Sequence, residues 1–343
     1  MNPPYTGLRV LLIAAIDEVA HAHNALRRRA LVRLGCEVTT LDLAHPGWLE
    51  RLVRRDPVAR LAAAFDEAQP KLVVVSGHET LPTAAVETVR RRNPAKWIRI
   101  HGTRISGNKA FEAAAVEAMA YDRVFVASTG ATRELDRRGV KHVAYLPVGC
   151  DPSVHKPLRA RGLFRANVVF VGTPTEERED LLSGLVEFGL AVWGPGWRKT
   201  ELRDYCRGEL DTLEGYVRAY AGASVGVNIH RGFGLDRAHD GGGVNQRLFE
   251  LAAIGVTQVV DQRGDLPSHF EDGSEVLAYS TEEELRGQVK RALQDEKHRE
   301  RVAGAARQRA LREHTYMHRM ATVLQDVTGK KAGGRASVPR EVT

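Results

Sequence analysis

Gly241-Gly242-Gly243-Val244-Asn245-Gln246-Arg247-Leu248-Phe249-Glu250 leads into a helical stretch that closes at Gly255. Consecutive glycines let a ligand lie against the main chain. The first N–H groups of a helix lack intrahelical partners and favour an anion. A helix starting near Val244 would therefore make Gly243 and Asn245 candidate ligand contacts. Arg247 adds a guanidinium whose planar fork matches phosphate. Glu250 follows three residues later, so it shares a helix face with Arg247 and is placed to accept hydroxyl protons, as from a ribose. The set suits a nucleoside diphosphate; a flexible loop before an ordinary buried helix is the alternative, since short motifs misfire often.

Further candidates stand after apolar runs. Gly172-Thr173 would form a tight turn in which Thr173 bonds a phosphate, caps the next helix with Glu176, or does both. Arg178 would reach a phosphate or lie exposed on its helix. Trp197, after Gly194-Pro195-Gly196, offers a ring to stack on a nucleobase, or a core anchor. His230-Arg231 opens a polar loop reaching His239-Asp240, and either residue could contact diphosphate or sugar. In the first half of the chain, Asp17-Glu18, His78-Glu79 and His101 with Arg104 follow three apolar runs. His101 is the preferred catalytic residue and Asp17 the second. Either could take a proton from an acceptor hydroxyl, while a histidine packed by backbone hydrogen bonds is the competing reading of His101.

These groups must be held by something, and the chain of 343 residues is longer than one core usually serves. Leu8 to Ala14, Glu37 to Leu41, Lys71 to Val75, Trp97 to Ile100, Arg123 to Ala127 and His142 to Leu146 are β-rich runs separated by helical stretches. The alternation restarts with Asn167 to Val171, Leu190 to Trp193, Ser224 to Ile229, Val256 to Val260 and Val276 to Ala278. Near-continuous apolar strands between helices predict parallel sheets covered on both faces, with ligands beyond the strands' carboxyl ends. The expected architecture is α/β: two tandem Rossmann-like domains, 1–150 and 158–312, facing a cleft. Pro147 to Pro157, with three prolines, carries a linker at 151–157, a last helix spans 313–328, and a disordered basic tail spans 329–343.

The formal charge of +7 suits nucleic acid, an anionic membrane surface or anionic small molecules. Arg27-Arg28-Arg29 and Arg90-Arg91-Arg92 fall in helical stretches and read as solvated faces. Three widely spaced cysteines, Cys36, Cys150 and Cys206, show no metal-ligand spacing and fit a reducing cytoplasm. The apolar run Val10 to Ile16 is far shorter than the ~20 residues that span a bilayer.

Phe170-Val171-Gly172-Thr173, Trp193-Gly194-Pro195-Gly196-Trp197, Asn228-Ile229-His230, Asn245 to Glu250 and His314 to Arg319 occur in an order that resembles the CgeB-like, spore-maturation-type glycosyltransferases of the GT-B fold. The resemblance covers about Leu146 to Arg319. It implies a nucleotide-sugar donor in the second domain, an acceptor in the first, and a terminal helix crossing back to the first domain. It also implies transfer without a metal or other cofactor, and the chain has no Asp-x-Asp pair. Retaining relatives place a histidine after the strand that His101 follows, and they pair two glutamates eight positions apart. Here Glu250 matches the second, and Gly242 stands in place of the first. The acceptor is open and includes modified DNA. A nucleotide-sugar epimerase and a non-enzymatic two-lobed binder of nucleotide or nucleic acid are the rival readings.

Overall fold

The computed structural model describes residues 3–16, 22–43, 56–77, 81–92, 94–102, 105–232 and 242–330. Asp17, Glu18, His78, Glu79, Arg104, His239, Asp240 and Gly241 lie outside the described residues. The described residues form two compact units. The first runs to Pro147 and resumes at Tyr316; the second takes the described residues between Val148 and Thr315.

Six parallel strands build the first unit: β1 (Arg9–Ile13), β2 (Glu37–Leu41), β3 (Leu72–Gly77), β4 (Lys96–His101), β5 (Arg123–Val126) and β6 (Val143–Tyr145). Their order across the sheet is β2-β1-β3-β4-β5-β6. All six residues of β3 are buried, as a central parallel strand covered by helices on both faces requires. Trp97 of β4 is fully buried and stacks on Phe65 of the Pro57–Ala68 helix at 5.8 Å between centroids. The Tyr316–Thr328 helix packs on the Ala22–Arg33 helix of the same unit, and Arg123 pairs with Asp326 at 2.6 Å.

Five parallel strands build the second unit: β7 (Ala166–Val171), β8 (Leu190–Trp193), β9 (Ala223–Asn228), β10 (Thr257–Asp261) and β11 (Leu277–Tyr279), in the order β11-β10-β9-β7-β8. Period-two alternation sorts their side chains between two cores. Val168 and Phe170 of β7 pack with Leu182, Leu285 and Val289. Val169 and Val171 pack on the other face with Val217, Tyr220 and Leu251. Each side chain so buried contributes roughly 1.5–3 kcal/mol. Among the described residues no helix is long and apolar enough to cross a membrane.

The eleven strands are those expected from the sequence, and so is the class of two Rossmann-like α/β domains. Both sheets reverse their winding at one point, between β1 and β3 in the first and between β7 and β9 in the second. Ligands of open α/β sheets sit beyond the carboxyl ends at that reversal.

Candidate functional site

The reversal point of the second sheet gathers most of the expected donor residues. Gly172 and Thr173 follow β7; His230 and Arg231 follow β9 one residue on. Thr175, not Thr173, caps the Glu176–Ser183 helix, accepting from the Arg178 N–H. That leaves the Thr173 hydroxyl to accept from Arg231 at 3.2 Å, while the Thr173 carbonyl accepts from Arg178 Nη1 at 2.9 Å. Arg178 also donates to the Ile229 carbonyl at 2.9 Å and lies over the Phe170 ring at 5.2 Å. It is buried rather than exposed on its helix. Burial lowers its guanidinium to about 10, and the positive charges of Arg247 and Arg231 push the same way. Three guanidinium groups thus share one neighbourhood, an arrangement that favours an anion.

The glycine-led segment differs from its expectation in one respect. The helix begins at Arg247, not near Val244, and ends at Gly255 in the left-handed region. Asn245 supplies the cap instead, its side-chain oxygen accepting from the Leu248 N–H at 3.2 Å. Asn245 also exchanges amide hydrogen bonds with Asn228 at 2.7 and 3.1 Å. An asparagine at the cap satisfies a backbone donor and fixes where the helix can start. Gly242 has φ +73°, and a Cβ there would stand 2.9 Å from Gly264 Cα. A glutamate at this position, as in the retaining relatives, would displace the Gly264 backbone. Gly243 sits between these two fixed points, half-buried.

His230 is held on both sides. Its Nε2 accepts from the Asn245 N–H at 2.8 Å, which puts the ring proton on Nδ1, 2.6 Å from Asp261. Asp261 accepts in addition from the His230 N–H at 2.9 Å and from Arg263 at 2.7 Å. Burial alone would raise the Asp261 carboxyl, but the hydrogen bonds from His230 and the charge of Arg263 outweigh it and hold it below its ordinary value. Both ring nitrogens of His230 are therefore spent on tying the ends of β9 and β10 to the glycine-led segment. Asp261 and Arg263 escaped the sequence reading; the signal was a carboxylate closing an otherwise apolar strand.

Trp197 requires a correction. Its ring is fully buried, meets Phe170 edge-on at 5.9 Å and is not presented for stacking on a base. Its Nε1 donates to the Gly172 carbonyl at 2.6 Å. Gly194, φ +127°, lets that same carbonyl approach to 2.4 Å of where a Cβ would be. The Trp193–Trp197 segment is a shelf under the Gly172–Thr173 turn.

Arg247 and Glu250 do share a helix face, and Tyr216 meets both. The Arg247 guanidinium lies 6.0 Å from the Tyr216 ring centroid, and the Tyr216 hydroxyl donates to Glu250 Oε2 at 2.7 Å. Burial works against the Arg247 charge, but Tyr220, Tyr216 and Glu250 more than offset it and hold the pKa above its ordinary value. Its Nε has no partner among the described residues. Glu250 is buried.

In the first unit, His101 ends β4 and pairs in register with Gly77 at the end of β3. It is buried, and its Nε2 has no partner among the described residues. Burial, reinforced by the charge of Arg99, lowers the imidazole to about 3. The ring is therefore neutral at physiological pH and weakly basic. Arg99 pairs with Glu117 at 2.8 Å and donates to the Val75, Ile100 and Gly77 carbonyls. Asp17, the second catalytic candidate, lies outside the described residues.

Residues 177–325 match a family model described as glycosyl transferase-like. No curated protein matches the chain. Among solved structures, the chain is similar to sucrose-phosphate synthase from Thermosynechococcus elongatus, at 15% identity over 93% of this chain and 98% of that one, with TM-score 0.68. It is similar to Anabaena HepE in complex with UDP and glucose, at 12% identity over 94% and 99%, with TM-score 0.65. It is also similar to a candidate UDP-N-acetylglucosamine 2-epimerase from Listeria monocytogenes, at 12% identity over 97% and 100%, with TM-score 0.57. At such identities the likeness concerns the fold, which is that of the GT-B class. That fold hosts both transferase and epimerase relatives, so the chemistry has to be argued from the site.

Proposed function

We propose that the protein is a glycosyltransferase of the CgeB-like group that moves a hexosyl unit from a nucleoside-diphosphate sugar to an acceptor hydroxyl. The observation that carries this reading is the convergence of Arg178, Arg231 and Arg247 at the β7/β9 reversal, next to a glycine-led helix start. A diphosphate leaving group gains negative charge as the glycosidic bond to it breaks. Fixed guanidinium groups and helical N–H groups stabilise that charge without reorganising. They supply what a divalent cation supplies elsewhere, so transfer proceeds without metal and with no other cofactor. Likeness to a structure that holds UDP and glucose, and to another of the same protein holding UDP-glucose, supports a UDP-sugar donor.

Glu250 accepts from the ribose hydroxyls, and Gly172, Thr173, Gly243 and Asn245 shape the diphosphate's surroundings. His230 and Trp197 position this framework rather than touch the donor. His101 acts on the acceptor side. A ring with a pKa near 3 is a poor base, so it orients a hydroxyl through Nε2, and proton acceptance falls to Asp17. The first domain would bind the acceptor.

A thermal-shift panel of UDP, GDP, ADP and their sugars tests the reading. A ligand that binds only the folded chain raises its melting temperature by mass action. UDP and a UDP-sugar are expected to do so, in excess chelator as well as without it. The stabilising sugar nucleotide should then release free sugar and diphosphate slowly when no acceptor is present. A protein stabilised by no nucleoside diphosphate, or only when manganese or magnesium is added, contradicts the proposal. Conversion of a UDP-sugar to its epimer would assign the epimerase reading instead.

A further inference from the structure

Asp151 to His155, at the start of the stretch with the composition of a linker, forms a closed turn within the second unit. The His155 N–H donates to the Asp151 carbonyl at 2.8 Å. The Asp151 carboxylate accepts from the Ser153 N–H at 2.9 Å and hydroxyl at 2.7 Å. This turn carries the His155 side chain into full burial. A loop that only connects two domains has no reason to bury an imidazole completely.

The ring is oriented. Its Nδ1 accepts from the Asp151 N–H at 3.0 Å, so the neutral ring carries its proton on Nε2. Nε2 stands 3.4 Å from Glu250 Oε1, against the carboxylate but without a formed hydrogen bond to it. Tyr216 donates to the other oxygen of the same carboxylate at 2.7 Å. Burial and the neighbouring Glu250 charge keep that phenol protonated, and therefore a donor. Each carboxylate oxygen accepts two hydrogen bonds. Tyr216 takes one site on Oε2 and the His155 ring stands against Oε1, so each oxygen keeps an acceptor site: the pattern that matches the two neighbouring hydroxyls of a ribose.

We infer that His155 and Tyr216 are positioning residues that clamp Glu250 from its two oxygens, and that the clamp makes the site select ribonucleotides over 2′-deoxyribonucleotides. The inference rests on the proposed role of Glu250 in holding the donor ribose. It adds two residues outside the phosphate-binding set and a discrimination that the phosphate contacts cannot provide.

The test is calorimetric and uses the full-length protein. The probes are UDP, ADP and GDP, each with its 2′-deoxy form, and inorganic pyrophosphate. For whichever base binds most tightly, the wild-type preference for ribose over 2′-deoxyribose should be about tenfold, the worth of one lost hydrogen bond to a charged group. His155→Asn keeps a short acceptor for the Asp151 N–H but cannot reach Glu250. It should bring the preference close to one while leaving pyrophosphate affinity unchanged. His155→Gln restores an N–H near the place of Nε2 and should recover most of the preference. Tyr216→Phe should behave like His155→Asn, and it carries the test if a His155 variant fails to fold. A merely structural role would lower melting temperature and leave the ratio alone. Loss of the preference in Glu250→Ala but not in His155→Asn or Tyr216→Phe overturns the clamp and keeps the ribose reading. A wild-type protein that binds none of the nucleotides, or does not distinguish ribose from deoxyribose, overturns both.

Discussion

The carboxyl edges of the two sheets are built on the same topology and carry opposite chemistry. At the end of β4 in the first unit, Arg99 is spent on Glu117 and three backbone carbonyls, and beside it His101 is left neutral. At the β7/β9 edge of the second, burial lowers the Arg178 pKa and the like charges of Arg247 and Arg231 push it the same way. A guanidinium whose donors are spent inside the fold has little left for a diphosphate, whereas the Nε of Arg247 has no partner among the described residues and an added anion would relieve the like charges around Arg178. The parallel sheets provide two comparable edges; on the proposed reading, the partners of each arginine decide which of them takes an anionic donor.

That contrast can be broken at several points, and the largest effect is expected from Arg99. Arg99→Met removes a buried guanidinium and leaves the half-buried Glu117 carboxylate and three backbone carbonyls without their donor. The loss should be about 3–5 kcal/mol of folding stability, read by denaturant unfolding, with UDP affinity in the surviving folded fraction unchanged. A variant that keeps its stability and loses UDP binding would move the donor to the first unit.

Next comes turnover. His101→Ala should lower it by about two orders of magnitude, the cost of a misplaced acceptor hydroxyl, with donor affinity nearly constant. An unchanged rate in a protein that merely melts earlier would make His101 structural and leave Asp17 alone on the acceptor side.

Arg247→Ala should weaken UDP and pyrophosphate alike by about 1.5–3 kcal/mol, the loss of a charge-assisted bond. Calorimetry showing equal affinities in variant and wild type would remove Arg247 from the site.

The smallest effect, taken per pH unit, is the pH dependence. The His101 pKa falls from 6.5 to about 3 on folding. As pH drops between those values, the unfolded chain takes up a proton that the folded chain refuses. The folding equilibrium should therefore lose up to about tenfold per pH unit from this one group. His101→Gln should flatten the wild-type slope over that window. Equal slopes in the two proteins would show an imidazole that titrates normally.

The sheets were legible because a strand buried on both faces must be written in nearly unbroken apolar, β-branched residues, as Leu72 to Val75 and Val168 to Val171 are. The arginines proposed to face the phosphates, Arg178, Arg231 and Arg247, stand out in the sequence for a related reason: they lie after strands or at a helix start. Partner choice was not legible. Trp197 and His230 have the residue types of ligand contacts, yet Gly172, Asn245 and Asp261 claim their polar atoms. The start of the helix at Arg247 depends on the Asn228–Asn245 amide pair, seventeen residues apart in sequence. Gly242 carries a constraint from Gly264, which only the folded backbone reveals. His155 was hidden by its prolines, because Pro152 and Pro157 give the segment the composition of a linker while Asp151 folds it into a turn.

The most direct test of the central claim is a crystal structure with UDP bound. The account predicts the phosphates at the β7/β9 edge, within hydrogen-bonding distance of Arg247 and of Arg178 or Arg231, with the ribose at Glu250. A diphosphate resting instead at the β1/β3 edge of the first unit, with those three arginines empty, would contradict it.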